Sequence, residues 1–200
     1  MDTTEANLQQ YKARQIRGLP DVAGVYALCD LENVPIYVGQ AAATKDTSIR
    51  KRVQRHLTSA RSDVIANRQL DVWEIAWVLA FPVEDRGAIG PLENTLFQHF
   101  HAQSALMNGK VPKGPQAPGP PPEPAQIVQV MSDDEIKEKL DPALRLPRQA
   151  EHYSQIVGHF LAVKNSREIA FAIQAHFQRL QKYHKLLLGL AANIDEDASE

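Results

Sequence analysis

The sequence predicts an α+β fold: a small antiparallel three-stranded sheet flanked by helices, with a mostly helical C-terminal element added. Three observations lead there. Two short runs rich in β-forming residues, 24–29 and 35–39, are separated by a gap of hairpin length. A third run, 72–81, places Trp73, Ile75, Trp77, Leu79 and Phe81 at period two, on one face that must be buried. Between and beyond these runs, apolar residues recur at helical spacing.

Residues 1–21 form a helical lead-in that ends near Gly18-Leu19-Pro20, because proline disfavours helix at the residue before it. With residues 30–33 as a four-residue loop, Cys29 faces Val34 and Tyr26 lies directly opposite Tyr37. Their Cβ atoms would then be ~5 Å apart. A slip of one residue would destroy that pairing. Residues 48–60 read as a helix buried through Ile49, Val53 and Leu57, with Arg52 and His56 one turn apart beside that stripe. Gly90-Pro91 opens another helix, buried by Leu92, Leu96 and Phe100, with Glu93 in its first turn.

The unit 22–110 ends there. Residues 111–124 hold seven prolines and two glycines, and read as an extended, semi-rigid linker. Within 125–200, residues 127–130 suggest a short strand, and Ser132-Asp133-Asp134-Glu135 starts a short helix. Asp141-Pro142 and Pro147 punctuate the chain. Two amphipathic helices follow, one marked by Tyr153, Ile156, Val157, Phe160 and Leu161. The other is marked by Ile169, Ile173, Phe177, Leu180, Leu187 and Leu188. This half carries nine bases against eleven acids, a balance that suits a dimerisation or accessory role.

Composition bounds the function. The 200 residues are 44% apolar, with a mean hydropathy of −0.34 and no apolar run of the ~20 residues that span a bilayer. The first ten residues are polar and lack the apolar block of a secretory signal. One cysteine, Cys29, excludes an internal disulfide and a Cys-rich zinc site. A cytoplasmic protein with no membrane partner is expected. The net charge of −2 suggests no partner, but residues 45–68 carry seven bases against two acids. Such a basic stripe on a neutral body suits phosphate backbones, with Lys45, Arg50, Lys51, Arg55 and Arg61 as candidate DNA contacts.

The remaining candidates are Tyr26, Tyr37, Arg52, His56, Glu93 and Asn108. Each has an ordinary explanation alone: packing, solvated helix decoration, a carboxylate favoured by a helix dipole, a turn signal. His99 and His101, two apart, cannot share a helix face. His152, His159, His176 and His184 read as surface or partly buried.

Jointly, Gly24-Val25-Tyr26, Tyr37-Val38-Gly39, a helix bearing Arg52 and His56, and Glu93 on a later helix resemble the GIY-YIG nuclease superfamily, over about residues 22–109. Valine replaces the central isoleucine of both half-motifs, which keeps a β-branched residue in each strand. The short chain and the Arg-x-x-x-His helix look most like the restriction-type members. The resemblance implies a DNA endonuclease using one Mg²⁺ (or Mn²⁺) per site, held by Glu93. It makes Tyr26, Tyr37, Arg52, His56 and Glu93 catalytic. Arg52 would hold the phosphate oxygens, Tyr26 would orient or deprotonate the attacking water, and Tyr37 would support it. Gly24, Gly39 and Asn108 would be supporting residues. A homodimer would suit cutting of duplex DNA. The other expectations are a stand-alone structure-specific or single-strand nuclease, a silent DNA-binding or scaffold module that keeps the fold, and a helical protein–protein adaptor.

Overall fold

The structure, a computed structural model, describes residues 3–42, 47–58 and 62–189. Its centre is an antiparallel sheet of four strands, not the three expected, in the order β2-β1-β3-β4. The strands are β1 (Gly24–Cys29), β2 (Pro35–Ala41), β3 (Trp77–Pro82) and β4 (Gln126–Gln129). The fourth strand follows the proline-rich segment and pairs with β3 through Trp77–Gln129 and Ala80–Gln126.

β1 is buried along its whole length, as a central strand with both faces covered must be. One face bears Tyr26 and Leu28. It packs against α1 (Thr3–Arg17), the turn after it and α2 (Ile49–Thr58) through Ile16, Leu19, Ile49, Val53 and Leu57. The other face bears Val25, Ala27 and Cys29 and packs against α4 (Ile89–Gln103) through Ile89, Leu96 and Phe97. The proline-rich segment has no regular structure. It lies along α4, where Asn94 donates to the Gly114 carbonyl and the Ala117 N–H donates to Thr95 Oγ1.

The register of the hairpin differs from expectation. Tyr26 faces Gly39 and Leu28 faces Tyr37, while Cys29 faces Pro35. Two single-residue slips cause this. Asp30 closes the loop with Val34 through its backbone, and its carboxylate accepts the Glu32 and Val34 N–H groups. The loop is therefore one residue shorter than expected, and an irregularity between Leu28 and Cys29 adds a second shift. Each slip alone reverses the face of every side chain. Together they cancel, so the tyrosines share a face after all, as diagonal neighbours with ring centroids 6.4 Å apart.

The expected strand 72–81 is also shorter. Asp71 captures the Trp73 N–H, and residues Val72–Glu74 coil into a 3₁₀ turn. Trp77, Leu79 and Phe81 keep the shared face, but Ile75 joins the opposite core. A one-turn helix, α3 (Asp63–Ala66), precedes this segment.

The C-terminal helices are α5 (Asp133–Lys139), α6 (Pro142–Ala162) and α7 (Arg167–Leu188). Ser132 caps α5 by accepting the Glu135 N–H. Pro147 does not punctuate the chain, because α6 runs through it. The buried faces of α6 and α7 follow the apolar stripes only in part: Ile156 and Ile169 are buried as expected, with Phe160 and Ile173 packed against them, but polar residues fill much of each face. Arg145, Gln149, His152 and Ile156 turn inward on α6. Ile169, Ala172, Ala175, His176, Arg179 and Tyr183 do so on α7, and Phe177 is 42% exposed. Among the described residues, no helix is long and apolar enough to cross a membrane.

Candidate active site

β2 is an edge strand, and its outward backbone groups need partners. Asn108 supplies them: its side-chain oxygen accepts the Val38 N–H at 2.9 Å, and its amide donates to the Val38 carbonyl at 2.6 Å. The residue expected to order the site thus clamps the strand between Tyr37 and Gly39. Beside this clamp opens a cleft of about 440 Å³, lined on one side by Tyr37, Val38, Glu93 and Asn108. Asp63, Asn67 and Gln69 line it as well, and Lys164, Ser166 and Glu168 come from the start of α7 and the segment before it.

Four predicted residues stand together on the α2 face of the sheet. Tyr26 is fully buried, and its hydroxyl lies 2.7 Å from His56 Nε2. His56 Nδ1 lies 2.6 Å from Ser62 Oγ. The Arg52 guanidinium, which can only donate, stands near the Tyr26 hydroxyl and opposes the rise in its pKa. With a donor-only guanidinium beside the phenol oxygen, the matching tautomer has the Tyr26 hydroxyl donating to Nε2 and Nδ1–H donating to Ser62 Oγ. The Tyr37 ring meets the His56 ring edge-on at 5.5 Å.

Gly39 makes this cluster fit. A Cβ there would sit 2.5 Å from the Tyr26 hydroxyl oxygen and 2.9 Å from the Tyr37 ring. A side chain at Gly24 would collide with the Phe81 carbonyl oxygen across the sheet.

Burial dominates the electrostatics. It pushes the Tyr26 hydroxyl well above the usual tyrosine range, with Tyr37 adding to the rise and Arg52 opposing it. Burial raises Tyr37 to about 12, again against Arg52. It lowers His56 to about 4, helped by Arg52 and Arg55, so the imidazole is neutral at pH 7. Burial also raises the Glu93 carboxyl, and Arg52 partly offsets this. Among the described residues, Arg52 is the one cation that acts on both tyrosines, the histidine and the glutamate.

The predicted DNA contacts divide. Arg50 is engaged by the protein itself, donating to the Leu19 carbonyl at 2.8 Å and pairing with Asp21 at 3.6 Å. Lys51 and Arg55 lie on the exposed side of α2. Lys45 and Arg61 fall outside the described residues.

Ser62 was not singled out by sequence, since a serine six residues past a histidine carries no pattern. His152 and His176 are also corrected: both are buried, and their Nε2 atoms lie 3.1 and 2.9 Å from the Arg68 and Gln69 carbonyls. His101 stacks between Phe97 and Phe171. Among the described residues, no three His, Cys, Asp or Glu side chains stand together as metal ligands. Compared with known protein families, with curated proteins and with solved structures, the chain matches none.

Proposed function

We propose that the chain is a divalent-metal-dependent endonuclease that hydrolyses DNA phosphodiester bonds, acting on duplex DNA in the manner of restriction-type enzymes. One observation carries the reading. Tyr26, Tyr37, Arg52, His56 and Glu93, drawn from two strands and two helices, cluster where Arg52 acts on all the others, beside an open cleft. Packing alone does not require a tyrosine pair, an arginine and a glutamate to converge there.

Glu93 fits as the ligand of one Mg²⁺ or Mn²⁺. Its carboxylate is half-buried in the cleft wall, and a single anchoring carboxylate suits a cation that keeps most of its waters. Such an ion supplies positive charge for the phosphate oxygens and for lowering the pKa of a neighbouring phenol. Arg52 holds the non-bridging oxygens and meets the charge that develops on them.

The geometry shifts the roles of the tyrosines. Tyr37 lines the cleft, whereas Tyr26 is sealed behind it. Tyr37 is therefore the better candidate to orient the attacking water. With a hydroxyl near 12, it takes a proton only when extra positive charge stands beside it. Tyr26, held by neutral His56 and Ser62, fixes the position of Arg52 and Tyr37.

The test is nicking of supercoiled plasmid by the purified chain, with and without Mg²⁺. Metal-dependent nicking is expected, with Glu93→Ala and Arg52→Ala each losing about 10²-fold or more. Nicking that survives Glu93→Ala overturns the metal assignment. DNA binding without cutting would instead favour a silent DNA-binding module.

A further inference from the structure

The cleft beside Tyr37 and Glu93 has a second wall, built by the C-terminal half. Its side chains include Lys164, Ser166 and Glu168, with Lys110 from the segment that follows Asn108-Gly109. We propose that Lys110 and Lys164 grip the phosphate backbone of the substrate strand next to the reacting phosphate, so that the DNA runs between the nuclease unit and α7. This rests on the nuclease reading above, and it gives the C-terminal half a direct part in substrate binding.

Position is the first argument. Asn108 clamps β2 at Val38, adjacent to Tyr37, and the next residue, Gly109, is pressed against α7. A Cβ at Gly109 would lie 2.8 Å from Glu168 Cβ and would collide with the Gln69 amide. The start of α7 is therefore seated directly on the turn that holds the active-site strand. Further along, His176 and His152 secure α7 and α6 to the carbonyls of Gln69 and Arg68. The second wall cannot drift from the first without breaking these contacts.

Charge is the second argument. Lys110 and Lys164 are exposed; the Glu168 carboxylate is held below the usual glutamate range first by its own backbone N–H and the Ser166 hydroxyl, and after them by the two lysines. Asp63, Glu93 and Glu168 face the same cleft. A phosphate chain enters a space with three carboxylates only if cations stand against them, and on this wall the two lysines are those cations. Ser166 spends its hydroxyl on capping Ile169, so the lysines and not the helix end carry the contact.

The geometry also explains why the basic stripe read from sequence is incomplete as a binding surface. Arg50 is already committed to Leu19 and Asp21, on the α1 side of the molecule.

The test is binding of a fluorescent duplex oligonucleotide to the full chain across a salt series, with Ca²⁺ in place of Mg²⁺. Each lysine lost should flatten the log–log salt slope by about 1 and weaken binding roughly five-fold near 0.15 M salt, sequence-independently. Lys110→Ala and Lys164→Ala are expected to do so, and Lys164→Arg to restore the slope. Glu168→Gln should tighten binding, because it removes an acid from the wall that carries both lysines. Lys185→Ala, on an exposed part of α7 away from the cleft, should leave the slope as it was. Thermal melts confirm that each variant is folded. If the wild type nicks plasmid but the two lysine variants bind with the parent slope, this inference falls and the nuclease reading stands. An equal loss in Lys185→Ala also overturns it, since the effect would then be one of overall charge. A wild type that neither binds nor cuts DNA overturns both.

Discussion

At the scale of single residues, the candidate site turns on a missing side chain. Tyr26 occupies the volume over Gly39, and its hydroxyl reaches His56 only because nothing stands in that volume. Gly39→Ala is expected to push Tyr26 off His56, at a cost of about 1–3 kcal/mol in urea denaturation, with plasmid nicking falling alongside. An unchanged midpoint would mean that the tyrosine is not held as described. The motif residues Gly24, Tyr26, Tyr37, Gly39, Arg52, His56 and Glu93 were legible in the sequence, because their order and spacing form a pattern. Ser62 was not. Its contact with His56 arises where the chain returns after α2, and no local rule marks that return.

At the scale of elements, the sheet and its helices follow from periodicity, but the C-terminal helices show where periodicity misleads. Counting apolar residues on α7 selects a stripe that starts at Ile169, which is buried, but continues through Phe177 and Leu188, which are exposed. The buried stripe carries His176, Arg179 and Tyr183 instead. Polar residues turn inward because partners wait for them. Arg145 donates to both Glu74 oxygens at 3.0 and 2.8 Å, reaches Glu32 at 3.0 Å, and stacks over the Tyr183 ring at 4.0 Å. Arg179 donates to Asp30 at 2.6 Å. Asp30 also builds the β1–β2 loop, so this ionic cluster ties α6 and α7 to the hairpin that carries the tyrosines.

Removing one partner leaves buried charges uncompensated. Arg145→Ala is therefore expected to cost about 3–5 kcal/mol in urea denaturation. Lys182→Ala, which breaks an exposed pair with Glu32, should cost under about 1 kcal/mol. Equal costs would argue against a buried latch.

At the scale of the whole molecule, three buried neutral histidines set the response to acid. Burial lowers His56 to about 4 and His176 to about 3, and it lowers His152 as well. These folded-state values lie below the ordinary ~6.5, so the unfolded chain takes up protons first as the pH falls. Stability is complete above about pH 6.5. It should drop from there towards pH 4 by roughly 1.4 kcal/mol per pH unit for each of His56 and His176. Glu74, raised by burial, opposes this, because the folded protein takes up that proton before the unfolded chain does. Urea midpoints at pH 7 and pH 5 measure the slope, and His176→Gln should shallow it; a flat profile would sink the account. By itself the sequence determined the α+β class, the hairpin, the helix that carries Arg52 and His56, and the set of residues worth testing. These rest on local periodicity and on motif spacing, which neighbouring residues encode. Only the tertiary structure decided the pairing of the fourth strand with β3, the diagonal tyrosine pair, the polar faces of α6 and α7, and the second wall of the cleft. Each of these joins residues far apart in the chain, and whether a buried arginine or histidine is stable depends on a partner that its own neighbours do not reveal.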